Sequence, residues 1–596
     1  MTSSSRVCHP TPILRILDPM QGYNPENPLI VQADRSMFLE VHSPYFEAAR
    51  AAIAPFAELE KSPEHIHTYR ITPLSLWNAA SSGLQPQEMV NALEQYAKFG
   101  VPDNVRTDVF DLASRWGRIR LMEAGPDLAL EVKEGDEALL LELSRNKKIA
   151  ALLGTRWNAR IYGLPLLHRG TIKQALLEQG WPVEDLAGYS DGLELALEWN
   201  PNVNVRDYQL EAAESFYQGG GKQGGSGVIV LPPGAGKTVV GMAAMQLVGQ
   251  RTLILTTNRT SVAQWQRELL SKTSLTPDQV AEYGAASKKL APVTVATYQM
   301  LTARKRGTKA LENGLLDPAH FPHLELFRAQ DWGLIIYDEV HLLPAPIFRM
   351  TAEVQARRRL GLTATLVRED GREGDVFSLI GPKRYDRPWK DLEGQGWIAQ
   401  AACIEVRLRL SEEDRIGYAV AEELHKFRIA AENTRKREVL GQIVELHRGQ
   451  PTLIIGQYLE QLDLISQDLE TPLITGKTPQ LERERLFQAF REGKLKVLVL
   501  SKVGNFALDL PDAQVLIQVS GAFGSRQEEA QRLGRLLRPK AGGQTAHFYT
   551  LVSRETKEED FAHHRQLFLA EQGYQYLIQD EAVWLDKGEI ERRVLN

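Results

Sequence analysis

Val228-Ile-Val-Leu231-Pro-Pro-Gly234-Ala-Gly236-Lys237-Thr238 decides the fold. An aliphatic run passes through a glycine turn into Lys-Thr and then into an apolar stretch with helical spacing. Strand, loop and helix in that order make a phosphate loop. Gly234 and Gly236 let the backbone between Pro233 and Ala235 turn its N–H groups onto phosphate oxygens. A helix beginning near Lys237 adds its positive end. Lys237 is placed to reach the β- and γ-phosphates of ATP, and Thr238 to ligate Mg2+ through its hydroxyl. Leu231 stands where the common pattern begins with glycine. A chance glycine turn would lack the flanking strand and helix.

Working outward from the loop, short aliphatic strands alternate with longer helical stretches from residue 201 onward. One series is Val228–Leu231, Thr252–Thr256, Thr294–Thr297, Leu334–Tyr337 and Leu360–Leu362. A second is Leu453–Ile455, Leu473–Thr475, Val497–Leu500, Val515–Val519 and His547–Leu551. β-Branched runs separated by helices predict parallel strands buried on both faces. The fold class is therefore α/β, with two RecA-like, doubly wound lobes over 201–390 and 391–596, joined through 381–410. Residues 1–125 read as a mostly helical domain, with apolar residues at helical spacing in Pro55–Lys61 and Pro86–Phe99. A small α/β domain follows over 126–200, with β-like alternation from Leu128 to Ser144.

Two further motifs complete a nucleotide site. Asp338-Glu339-Val-His341 ends the strand Leu334–Tyr337, where open parallel sheets bind ligands. Asp338 can hold Mg2+, and Glu339 can orient and deprotonate the attacking water. His341, which alone would be a structural histidine, takes a coupling role beside that acidic pair. In Gln531-Arg-Leu-Gly-Arg535-Leu-Leu-Arg538 an amide and two guanidiniums share one helix face. A salt-bridged surface helix could look the same. Arg535 and Arg538 from a second lobe would instead stabilise charge developing on the phosphates once the lobes close.

These elements, in this order, resemble helicase superfamily 2 and within it the XPB family. Arg206-Asp-Tyr-Gln209 looks like the adenine-reading element, and Leu253–Trp265 the first strand-binding motif. The acidic box reads Asp-Glu-Val-His, as in that family. Thr363-Ala-Thr365 resembles the linker coupling hydrolysis to strand binding, and Arg368-Glu369-Asp370 the element implicated there in duplex opening. Ser501-Lys-Val503-Gly504-Asn505 through Asp509-Leu-Pro511 resembles the fifth motif and Gln531–Arg538 the sixth. The resemblance implies ATP and Mg2+ as cofactors and 3′→5′ movement on DNA with duplex opening, in repair. Asp509 and Gln531 would join Arg206 and Gln209 at the nucleotide. Thr257, Thr297, and Val503 to Asn505 would grip the strand. Residues 126–200 look like the family's damage-recognition domain, and 411–447 occupy the place of its thumb-like insertion. The alternative is a duplex translocase subunit of a remodelling or restriction/defence complex without strand separation of its own; a nuclease or repair protein is an expected partner.

Composition is compatible with this. Two cysteines, Cys8 and Cys403, cannot ligate an iron–sulfur cluster and fit a reducing cytoplasm. No run approaches a membrane span or a secretion signal. The net charge of -6 asks for a local positive groove, not a basic average. A monomeric motor contacting DNA through its backbone is expected. His65 and His67 read as structural, the 219–227 glycine cluster as a flexible loop, and Trp332 and Trp397 as packing residues.

Overall fold

The computed structural model describes residues 23–61, 65–304, 321–344, 347, 351, 352, 354, 357–364, 372–387, 389–501, 513–521, 533, 534, 536, 545–571, 574 and 576–585. Four sheets organise them. The first is antiparallel, β1 (Leu29–Val31), β2 (Ser36–Glu40), β3 (Glu58–Lys61) and β4 (Ile66–Arg70), in the order β1-β2-β4-β3. Helices Pro73–Ser81, Pro86–Tyr96 and Asp103–Ser114 pack on it. The N-terminal region is thus a sheet with helices, where the sequence predicts mostly helix. Within Pro86–Phe99 the chain is helical to Tyr96, but Glu58–Lys61 is a strand, its leucine turned into the core while its charged neighbours face water.

The second sheet contains β5 (Ile119–Ala124), β6 (Asp127–Val132), β7 (Ile161–Leu164) and β8 (Val183–Leu186). β5 and β6 pair as an antiparallel hairpin, with Ala124 opposite Asp127, so the expected boundary at 125/126 falls inside a turn. The alternating pattern stops at Val132. Glu137–Leu143 is a helix that buries Leu139, Leu140 and Leu143, at helical spacing.

The two large sheets each have seven strands, all parallel. The first comprises β9 (Ser226–Val230), β10 (Thr252–Thr256), β11 (Val280–Tyr283), β12 (Val293–Thr297), β13 (Leu334–Asp338), β14 (Arg358–Thr363) and β15 (Lys383–Asp386). The second comprises β16 (Ala401–Leu408), β17 (Thr452–Gly456), β18 (Leu473–Ile474), β19 (Val497–Ser501), β20 (Val515–Gln518), β21 (Ala546–Ser553) and β22 (Tyr576–Asp580). Their orders are β11-β12-β10-β13-β14-β9-β15 and β18-β19-β17-β20-β21-β16-β22. Counted from the first strand of each lobe, both read 3-4-2-5-6-1-7. The lobes are topological copies, and every strand of the two series expected from sequence is present. The 381–410 segment also supplies a strand to each sheet: β15, at the edge beside β9 of the first, and β16, between β21 and β22 of the second.

Contacts between domains are tight. On the small domain, Asp185 pairs with buried Arg169 at 2.8 Å and Lys173 at 2.9 Å. A Cβ on Gly170 would lie 2.5 Å from the Ala352 backbone, so that domain's helix rests directly on the first lobe. Asn78 accepts the Lys383 N–H at 3.0 Å, which ties the N-terminal domain to the first lobe. Ala570, from the second lobe's helix Lys557–Glu571, is buried in the N-terminal core. In the 411–447 region, Glu412–Val420 buries no residue, whereas Arg435–Leu446 packs Val439, Leu440 and Ile443 into the lobe. Among the described residues no helix is long and apolar enough to cross a membrane.

Candidate nucleotide and strand-coupling site

β9 delivers the chain to 231–236, and helix Lys237–Val248 carries it away. Gly234 has φ +84 and Gly236 φ +81, conformations L side chains rarely adopt. Gly236 is also constrained by space: a Cβ would lie 2.5 Å from the Gln209 amide nitrogen. That amide donates to the Ala235 carbonyl at 2.8 Å, and Tyr208 OH donates to the same oxygen at 2.6 Å. The upstream Arg206–Gln209 element therefore holds the loop from outside. Arg206 itself donates to Tyr208 OH at 3.1 Å and lies 4.8 Å above the Trp397 ring. Trp397 belongs to the segment between lobes, so a residue expected to pack also stacks on Arg206.

The acidic pair stands across from the loop because β13 and β9 flank β14. Lys237 Nζ is 3.3 Å from Glu339 Oε1. Glu339 has φ +52, a costly conformation for a residue with a side chain, and it breaks β13 so that the carboxylate faces the loop. Its Oε2 is buried without a hydrogen-bond partner and lies 3.5 Å from His341 Nδ1. His341, buried, meets the Thr363 hydroxyl at 2.6 Å. Asp338 Oδ2 accepts the Trp265 indole N–H at 2.9 Å, and its main-chain oxygen accepts Tyr298 OH at 2.8 Å.

Electrostatics divide the two carboxyls. Burial, with Glu339 adding to it, pushes Asp338 above the ordinary carboxylate range. Burial pushes Glu339 the same way, but Lys237 and His341 outweigh it and hold that carboxyl low. The donor set suits a hard cation: a hydroxyl at Thr238 and a carboxylate at Asp338, beside a loop built for phosphate.

Thr257 and Thr297 sit at the C-terminal ends of neighbouring strands, since β10 and β12 pair with Thr256 opposite Thr297. Thr297 accepts the Met300 N–H at 3.1 Å, capping the following helical turn, and Thr257 accepts from the Asn258 amide at 3.1 Å. The structure thus brings together Arg206, Gln209, Pro233 to Thr238, Asp338, Glu339, His341 and Thr363, with Thr257 and Thr297 along the same edge. Thr365, Arg368, Glu369, Asp370, Val503, Gly504, Asn505, Asp509, Gln531, Arg535 and Arg538 lie outside the described residues. Gly534 is described, and a Cβ there would lie 2.2 Å from Pro233 Cβ, so the second lobe touches the phosphate loop. Trp265 closes the expected strand-binding motif, but its bond to Asp338, like that of Tyr298, is not legible in sequence, since each reads as an apolar position of its own element.

A phosphate loop and acidic box on one of two duplicated parallel lobes define a two-lobed P-loop motor. A family model described as ERCC3/RAD25/XPB C-terminal helicase matches residues 392–591. Models for a helicase conserved C-terminal domain and for the type III restriction enzyme res subunit match residues 29–158 and 202–368. The DNA 3′-5′ helicase XPB of Kineococcus radiotolerans is 54% identical, over 93% of this chain and 97% of its own. That of Mycobacterium tuberculosis is 53% identical, over 93% and 98%. An Antonospora locustae XPB subunit of general transcription and DNA repair factor IIH is 32% identical over 97% of this chain and 86% of its own. The chain belongs to the XPB family of DNA helicases.

Proposed function

We propose that this protein hydrolyses Mg-ATP between its lobes and uses the cycle to move 3′→5′ along DNA and open the duplex, in repair. The observation that carries it is the Lys237–Glu339–His341–Thr363 chain, which links the phosphate loop to the end of β14 through contacts of 3.3, 3.5 and 2.6 Å. Lys237 and the 233–236 backbone hold the phosphates, and Glu339, kept ionised by Lys237, takes the proton of the attacking water. Thr238 and Asp338 would hold Mg2+, which supplies charge neutralisation at the phosphates. When the Lys237–Glu339 contact breaks on nucleotide binding, His341 passes the change to Thr363 and so to residues 364–370. Arg535 and Arg538 would complete the charge field from the second lobe; the contact of Gly534 with Pro233 supports that placement.

Thr257 and Thr297 would grip one stretch of backbone. Val503 to Asn505 follow β19, the strand that matches β12 in the duplicated order, and would grip the next. Similarity to DNA 3′-5′ helicases of known name supports DNA and the polarity. Residues 126–200 would recognise distorted DNA, and a nuclease or repair protein would be the partner. ATP hydrolysis measured without nucleic acid and with single-stranded DNA, duplex DNA and RNA tests the proposal. Strong stimulation by DNA is expected; equal rates under all four conditions would sink it.

A further inference from the structure

Two aromatic side chains outside the nucleotide loop converge on one residue. Trp265 is 1% exposed and gives its indole N–H to Asp338 Oδ2 at 2.9 Å. Tyr298 is 4% exposed and gives its hydroxyl to the Asp338 main-chain oxygen at 2.8 Å. Each belongs to an element that begins at one of the two threonine loops. Trp265 lies on helix Arg259–Lys272, which starts immediately after Thr257-Asn258. Asn258 caps that helix by accepting the Ser261 N–H at 2.9 Å, so loop and helix move as one piece. Tyr298 directly follows Thr297.

These contacts have little slack. The Trp265 ring lies against Gly241 of the helix after the phosphate loop, where a Cβ would come within 2.6 Å of it. A displaced indole would leave a buried N–H without its acceptor, which is unfavourable. Moving either threonine loop therefore moves Asp338 or breaks a hydrogen bond to it. Simple packing would fill the same space, but it would not require both donors to end on one residue of the acidic box.

We propose that Trp265 and Tyr298 are positioning residues through which occupancy of the threonine loops by a DNA strand sets the placement of Asp338, so that DNA and nucleotide binding are coupled. This rests on the assignment of the loops to DNA and of Asp338 to Mg-ATP made above. Coupling between sites is reciprocal, so it is readable from either ligand and without turnover.

The test is the affinity of the full chain for a fluorescent single-stranded oligonucleotide, with and without Mg2+ and a non-hydrolysable ATP analogue. Wild type is expected to change its Kd by about 5-fold or more, in either direction. Trp265→Phe and Tyr298→Phe should each bring that ratio toward one. Read at saturating analogue, the ratio cancels any damage that weakens both affinities equally. Tyr298→Phe removes a single oxygen and remains informative should Trp265→Phe not fold. Variants that keep the wild-type ratio, or a wild-type ratio of one, overturn the proposal. A wild type that binds neither ligand overturns instead the assignment beneath it.

Discussion

The two lobes share one strand order and differ in what they carry at the strand ends. After β9 the first lobe turns through glycines into Lys237; after β16 the second runs into Ser411 and an acidic helix start, Glu412-Glu413-Asp414. β13 ends in Asp338-Glu339, and its counterpart β20 ends in Gln518, followed by Val519-Ser520. Each lobe also has a lysine–glutamate pair beside that fifth strand. In the first, Lys237 and Glu339 are 3.3 Å apart and keep 12% and 23% of their side-chain surface exposed. In the second, Lys436 and Glu558 are 2.7 Å apart at 0% and 7%, and Lys436 also donates to the Val519 carbonyl. One pair is open to phosphate and water, the other is sealed. A duplicated scaffold does not duplicate chemistry, because the chemistry lives in loops that vary independently of the strands.

Breaking each pair separates these roles. Glu339→Gln should lower DNA-stimulated hydrolysis by roughly 10²–10⁴-fold, since it removes the proposed general base. It should leave the urea midpoint almost unchanged, because the pair is partly wet and loosely spaced. Glu558→Gln should do the opposite. It leaves the Lys436 ammonium buried without its counter-charge, at a cost of about 3–5 kcal/mol in urea unfolding. A Glu558 variant as stable as wild type would dissolve the contrast.

The N-terminal domain extends the comparison to a single ionisable group. Burial, with Arg50 adding to it, drops His67 from its usual value to about 4. The imidazole is therefore neutral in the folded domain and charged in the unfolded chain below about 6.5. Its contribution is fully present above that pH and is lost as pH falls from 6.5 toward 4, about 3 kcal/mol in all. Thermal melts should show the wild type losing stability across that window, with His67→Phe flattening the slope. An identical slope in both proteins would place the acid sensitivity elsewhere. The smallest effect is expected at the phosphate loop. Gly236→Ala adds strain at φ +81 and a contact with Gln209, and should weaken nucleotide binding by about 1–3 kcal/mol in titration calorimetry.

What the sequence determined by itself was whatever is local or periodic. Ten aliphatic runs became ten parallel strands because a strand buried on both faces has no polar alternation to hide it. The phosphate loop was legible because glycine, lysine and threonine at those spacings have one shared use. Half-buried antiparallel strands were harder: Glu58–Lys61 carries three charged residues in four, and only pairing with β4 makes it a strand. Strand β5, in the stretch expected to be helical, was hidden for the same reason. Tertiary structure alone decided which residues meet across the sheet. Trp265 and Tyr298 reach Asp338 over 73 and 40 residues of chain, through a register that no local pattern records. It also decided which lysine–glutamate pair is wet and which is dry, since exposure depends on every element packed around a side chain.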